Sequence, residues 1–209
     1  NLAEYIVEKS VAAGTAHFQL HTPNANDAGR TALHYAALHG DVQLLTTLVE
    51  TGHANFNVAS SEDGITPLHE AAIQGNPDAL ELILNELLNS KISVSEGFVD
   101  FKGRTALHCV CEEYVRRAGV EASDTVAFVR CAEILAPHVD AVGVLDDNSK
   151  SCMQLVEEGL AELTGTNSRP VDEVLTLLRK NTSRSFSSVP ESESREQENG
   201  KKSAAEEFV

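Results

Sequence analysis

The chain has 209 residues, a formal net charge of −16 and no tryptophan. No apolar run approaches the ~20 residues that cross a bilayer. A surface this acidic repels phosphate backbones and anionic lipid, so neither nucleic acid nor a membrane is an expected partner. Four cysteines, Cys109, Cys111, Cys131 and Cys152, sit in apolar contexts without a disulfide framework, which points to a reducing compartment, the cytoplasm or the nucleus. The first residue is Asn, as expected of a fragment or a processed product.

In chain order, residues 1–13 present Leu2, Tyr5, Ile6 and Val7 as one apolar face, the outer helix of a partial unit over residues 1–25. Thr31 then stands where a helix N-cap belongs, and Leu33, Ala36 and Ala37 share one face at helical spacing. Gly40 suits the left-handed residue that ends a helix, and a second apolar pattern follows through Leu44, Leu45 and Leu48. The next stretch repeats each step. Thr66 is the cap, Pro67 the first helical residue, Leu68, Ala71 and Ala72 the buried face, Gly75 the stop, and Leu80, Ile83 and Leu84 the second helix. Neither helix of such a pair can bury its apolar face alone, whereas stacked copies bury a continuous core.

The strings GRTALHYAA at 29–37, GITPLHEAA at 64–72 and GRTALHCVC at 103–111 carry the period, with 35 positions from His34 to His69 and 39 from His69 to His108. This pattern resembles the ankyrin-repeat family. The resemblance implies an all-α solenoid over residues 26–180, built of helix-turn-helix units with finger loops. Two units are clear. A third has Tyr114 where the helix-ending glycine belongs, so its first helix is expected to run on to Arg117, with an insertion at 118–124 before a helix at about 125–136. A fourth is a degenerate cap in which Ser151-Cys152-Met153-Gln154 replaces T-P-L-H and residues 171–179 form the closing helix.

The chemistry-bearing residues read mostly as structure. In the family, the His after T-x-L orders the turn, so His34, His69 and His108 are assigned to scaffold. Cys109-x-Cys111 has no second ligand pair at zinc spacing, so no metal is expected. No nucleophile elbow, zinc-protease helix, phosphate loop or dinucleotide fingerprint is present, so neither an enzyme nor a cofactor is expected. The resemblance implies a concave groove lined by the variable positions. They are Arg30, Tyr35, Leu38 and His39 in the first clear unit, Ile65, Glu70, Ile73 and Gln74 in the second, and Arg104, Glu112 and Glu113 in the third. Glu62-Asp63 and Asp146-Asp147 put acidic pairs on finger loops, and Phe98 and Phe101 precede Gly103 on another. Such a groove suits an apolar anchor flanked by basic side chains on a protein partner.

Residues 181–209 are rich in Ser, Glu and Lys and nearly free of apolar residues, a composition that cannot bury enough surface to fold. Arg184-Ser185-Phe186-Ser187-Ser188-Val189-Pro190 resembles a phosphopeptide docking site for 14-3-3 proteins, with Ser188 the phosphate acceptor. The same run resembles a degradation-promoting segment, and the final Glu206-Glu207-Phe208-Val209 suits a PDZ groove. The expected function is therefore a non-enzymatic interaction module that holds a basic or amphipathic segment. The alternatives are an inhibitor masking a basic localisation signal and the regulatory ankyrin segment of a larger enzyme or channel.

Overall fold

The computed structural model describes residues 28–50, 55–92, 94, 98–118, 125–164 and 173–185. The expected helix over 1–13, Ser188 with the part of its docking run from Phe186 on, and the C-terminal four residues lie outside these. Among the described residues there are eight helices: α1 Ala32–His39, α2 Val42–Glu50, α3 Pro67–Gln74, α4 Pro77–Asn89, α5 Ala106–Ala118, α6 Val126–Leu135, α7 Cys152–Thr164 and α8 Glu173–Ser185. They form two layers. The inner helices α1, α3, α5 and α7 stack in that order, the outer helices α2, α4, α6 and α8 stack beside them, and each inner helix packs on its own outer one.

The short alanines of the inner helices are what permit this close layering. Ala37, Ala71 and Ala72 are fully buried between helices, and Leu45, Leu80, Ile83 and Leu107 fill the seam behind them. Burying one such leucine contributes about 1.5–3 kcal/mol, and the core runs without a break from Leu33 to Leu178. The first two units close as their sequence demands. Gly40 (φ 64°) and Gly75 (φ 71°) take the left-handed conformation and donate back to the last carbonyls of α1 and α3. The Asn76 amide then donates to the Ala37 and Leu38 carbonyls, both at 3.1 Å, and ties the second turn to the first.

Each finger is a narrow turn closed by two backbone bonds: Ser60 N to the Ile65 carbonyl, Asp100 N to Arg104 and Asp146 N to Lys150, at 2.8, 2.9 and 3.0 Å, and the return bonds from Gly64, Gly103 and Ser149 N to the Ser60, Asp100 and Asp146 carbonyls. Each turn needs a left-handed residue, supplied by Gly64, Gly103 and, in the fourth unit, Ser149 at φ 60°. Successive fingers are chained by backbone bonds from Ser61 to Ala28, Phe101 to Asp63 and Asp147 to Lys102, the first doubled by the Ser61 hydroxyl.

Two boundaries differ from the sequence reading. Helix α5 ends at Ala118, one residue beyond the expected Arg117. Helix α8 continues to Ser185, past the boundary drawn at 181. Asn181 donates to the Leu177 carbonyl and Thr182 to that of Arg179, so polar side chains sustain the last turn where apolar burial has ended.

Candidate functional site

Helices α1 and α3 present the expected apolar stripe. Tyr35, Leu38 and Ile73 are half-buried, and His39 and Gln74 at the helix ends are exposed. Tyr35 and Leu38 are three residues apart and therefore share a face. Leu38 and Ile73 hold the same place in successive units, each two residues before the terminating glycine.

The charged positions behave differently from their reading as a free acidic lining. Glu70 is 3% exposed, and its Oε1 accepts from Arg30 Nε at 2.6 Å, while Arg30 Nη2 reaches Asp63 Oδ2 at 3.0 Å. In the next unit Arg104 binds Asp100 at 2.7 Å and Glu112 at 2.5 Å. Arg116 binds Glu113 at 2.5 Å. Four of the five carboxylates expected to face a partner (Asp63, Glu70, Glu112 and Glu113) are thus held by arginines of the stack. Glu70 is removed from the set of groove contacts, because it is buried beneath the Arg30 guanidinium and offers a partner almost no surface. Ile65 is removed too, being 7% exposed under the finger. Glu62 stays exposed.

Half of each acidic finger pair is structural. Asp63 accepts from the Ser60 hydroxyl and from Ile65 N at 3.3 Å. Burial alone would raise its pKa, but these hydrogen bonds and Arg30 hold it below the usual carboxylate range. Asp146, buried in the fourth unit, accepts from Asn148 N at 2.9 Å and Lys150 N at 2.8 Å, and Asp100 does the same in the third for Lys102 N and Arg104 N. The finger aromatics divide: Phe98 is buried and stacked on His69 with centroids 5.9 Å apart, while Phe101 is 64% exposed.

The histidines form a ladder. Thr31 N donates to His34 Nδ1 at 3.0 Å, so that nitrogen is the acceptor and the proton sits on Nε2, which donates to the Ile65 carbonyl of the next finger at 2.9 Å. His69 repeats this with Thr66 and the Arg104 carbonyl at 3.0 Å. His108 keeps its local bond from Thr105 N at 3.2 Å. Its Nε2–H faces Cys152 and the Lys150 carbonyl without reaching hydrogen-bonding geometry to either. In the fourth unit Gln154 takes the local role, its Oε1 accepting from Ser151 N at 2.9 Å. Burial pushes the His69 pKa down to about 4 and lowers that of His34 as well. All four cysteines are buried free thiols, with burial raising Cys109 and Cys131 to about 12 and Cys152 well above its usual value. Among the described residues no three His, Cys, Asp or Glu side chains gather as a metal site. No described helix is long and apolar enough to cross a membrane.

On the finger side of the groove, Lys102, Arg104, Glu112, Asp146, Lys150 and Leu155 surround a pocket of about 380 Å³. Of its charges, Arg104 and Glu112 are paired with each other, and Lys150 is paired with Glu158 at 2.7 Å. Sequence reasoning missed Lys102, Lys150 and Leu155. The regular alternation of finger and inner helix could have found them once the fourth finger was aligned on Asp100.

Two comparisons bear on this architecture. A family profile described as "Ankyrin repeats (3 copies)" matches residues 3–95. The ankyrin repeat domain of Bcl-3, described as a unique member of the IkappaB protein family, superposes with a TM-score of 0.52 over 77% of this chain and 55% of that one, at 19% identity. The chain folds as an ankyrin-repeat stack. Ankyrin proteins similar to it include the rice BTB/POZ domain and ankyrin repeat-containing protein NPR3 (Oryza sativa subsp. japonica), 31% identical over 62% of this chain and 20% of that protein. The human ankyrin repeat domain-containing protein SOWAHB is 40% identical over 32% of this chain and 9% of its own length. The NAD-dependent deacetylase sir2B of Dictyostelium discoideum is 26% identical over 66% of this chain and 17% of its own. The chain thus spans at most about a fifth of these relatives. Ankyrin repeats generally mediate protein–protein interaction, and the fold is typically non-enzymatic.

Proposed function

We propose that the ankyrin stack is a non-enzymatic interaction module whose concave face takes an amphipathic segment of a partner protein. The supporting observation is the stripe of Tyr35, Leu38 and Ile73, three half-buried apolar side chains running across two inner helices that polar surface surrounds. A partner side chain seated there completes a burial the stack leaves unfinished, and such central apolar anchors carry most of an interface's affinity. The paired arginines and carboxylates serve as a rigid frame. Basic residues beside the anchor are attracted by the exposed Glu62 and by the net charge of −16, which raises the encounter rate more than the affinity.

The test is an affinity capture from lysate comparing wild type with Leu38→Arg/Ile73→Arg. Both positions are only half-buried, so the circular dichroism spectrum and melting curve should stay close to wild type while capture of the partner is lost. Equal capture by the folded double variant would remove this stripe from consideration. A second reading, the regulatory ankyrin segment of a larger protein, is favoured by the small share of its relatives that the chain spans. A catalytic motif in the flanking sequence of the full protein would decide for it.

A further inference from the structure

The third unit breaks the pattern of its neighbours at the turn. Tyr114 occupies the glycine position, so α5 runs on to Ala118. This extension carries Arg117 over the face of Phe128, 4.8 Å from the ring centroid. Between the end of α5, the start of α6 and the α3–α4 turn lies an open pocket of about 520 Å³, lined by Gln74, Pro77, Arg117, Val126, Phe128 and Arg130.

Its two arginines are held more loosely than those of the groove. Arg30 and Arg104 are gripped by carboxylates at 2.5–3.0 Å. The carboxylates facing this pocket stand further off: Glu113 approaches Arg117 at 3.7 Å, and Asp78 approaches Arg130 at 3.6 Å. Arg117 Nε is shut away from solvent and has no hydrogen-bond partner. That Nε lies 3.7 Å from Glu113 Oε2, so the pocket meets Arg117 through the rest of its guanidinium, part-exposed in the lining, whose further N–H groups suit a ligand carboxylate. Beside it Val126, the first residue of α6, is 63% exposed, an apolar side chain offered to solvent at the pocket rim.

We propose that this pocket docks an acidic segment of a partner protein, a carboxylate meeting Arg117 and Arg130 while a neighbouring aliphatic or aromatic side chain covers Val126 and Pro77. A short peptide brings one or two charges to the two guanidinium groups and leaves the remainder of the acidic surface alone. An extended polyanion would be repelled by the body of net charge −16. The site adjoins the concave stripe at Gln74, is opposite to it in charge preference, and arises from the feature that sets the third unit apart.

The experiment is a selection of random phage-displayed heptapeptides on the full chain, followed by fluorescence anisotropy of the enriched peptides on variants. The expected result is enrichment of sequences with Asp or Glu beside Leu, Ile or Phe. Their affinity should fall tenfold or more in Arg130→Gln and in Val126→Lys and weaken with added salt. Arg130 and Val126 are both more than half exposed, so these variants test the site even if Arg117→Gln, which also loses the stack on Phe128, disturbs folding. Absence of acidic enrichment, or equal binding to the Arg130 and Val126 variants, overturns the proposal. Enriched peptides that reproduce Glu206-Glu207-Phe208-Val209 would make the chain's own end the occupant and overturn a partner in trans.

Discussion

The first two clear units and the last two are built on one plan and joined differently. The joint between the first and second units is made three times over: finger bonded to finger, the His34 ring bonded to the next finger's carbonyl, and the Asn76 amide bonded across the turn; the joint between the second and third keeps the first two, through Phe101 to Asp63 and His69 to Arg104. Between the third and fourth units the finger bond from Asp147 to Lys102 remains, but the His108 ring reaches no carbonyl and no glycine closes the α5 turn. The capping box is therefore a local property that any T-x-L-H supplies. The bond between units depends on where the next finger sets its backbone. The second half of the stack relies correspondingly more on apolar packing.

Removing packing should separate the halves most. Leu68→Ala, at a position 1% exposed between regular units, is expected to destabilise by about 3–4 kcal/mol, and Leu160→Ala, 8% exposed in the end unit, by about 2 kcal/mol in urea unfolding. Equal losses would mean that the end unit is packed as tightly as the middle. Acid should act on the regular half. An unfolded histidine titrates near 6.5 and His69 in the fold near 4, so the fold is fully stable above 6.5 and loses stability as pH falls from there through about 4. The size is on the order of 3 kcal/mol, and His34 adds in the same direction. Unfolding midpoints across this range should flatten in His69→Gln. Direct removal sharpens the contrast. His69→Ala leaves Thr66 N without a partner and strips the Arg104 carbonyl of one of its two donors, Asp100 N remaining, for a loss of about 2–3 kcal/mol, while His108→Ala sacrifices only its own cap and should cost about 1 kcal/mol less. The smallest effect should come from the left-handed finger position. Ser149→Gly relieves an L-residue at φ 60° and should stabilise by about 0.5 kcal/mol. The reverse, Gly103→Ser, puts a Cβ 2.9 Å from Asp147 and should destabilise.

The architecture was legible because its signals are local. Thr31 and Thr66, Pro67, Gly40 and Gly75 sit within a few residues of what they cap, and the recurring T-x-L-H string sets the period. The groove charges were not legible. Whether Glu70 faces a partner depends on Arg30, 40 residues earlier, and no spacing rule links the two. Asp63 and Asp146 read as surface acids because an aspartate that accepts backbone amides in a turn is indistinguishable, as a letter, from one in solvent. The pocket at Arg117 was invisible for another reason: the missing glycine at Tyr114 announced an overrunning helix but not the ring of Phe128 that its end would cover.

The burial of the thiols has a kinetic consequence. All four cysteines lie beyond residue 108, in the half whose joints are fewest, and none lies in residues 28–92. With their protons held by burial, Cys109, Cys131 and Cys152 react with alkylating reagents only when the surrounding helices part. Native-state labelling thus serves as a built-in clock for the third and fourth units, with four sites on three helices timing how often that end of the stack comes apart while the regular half stays closed.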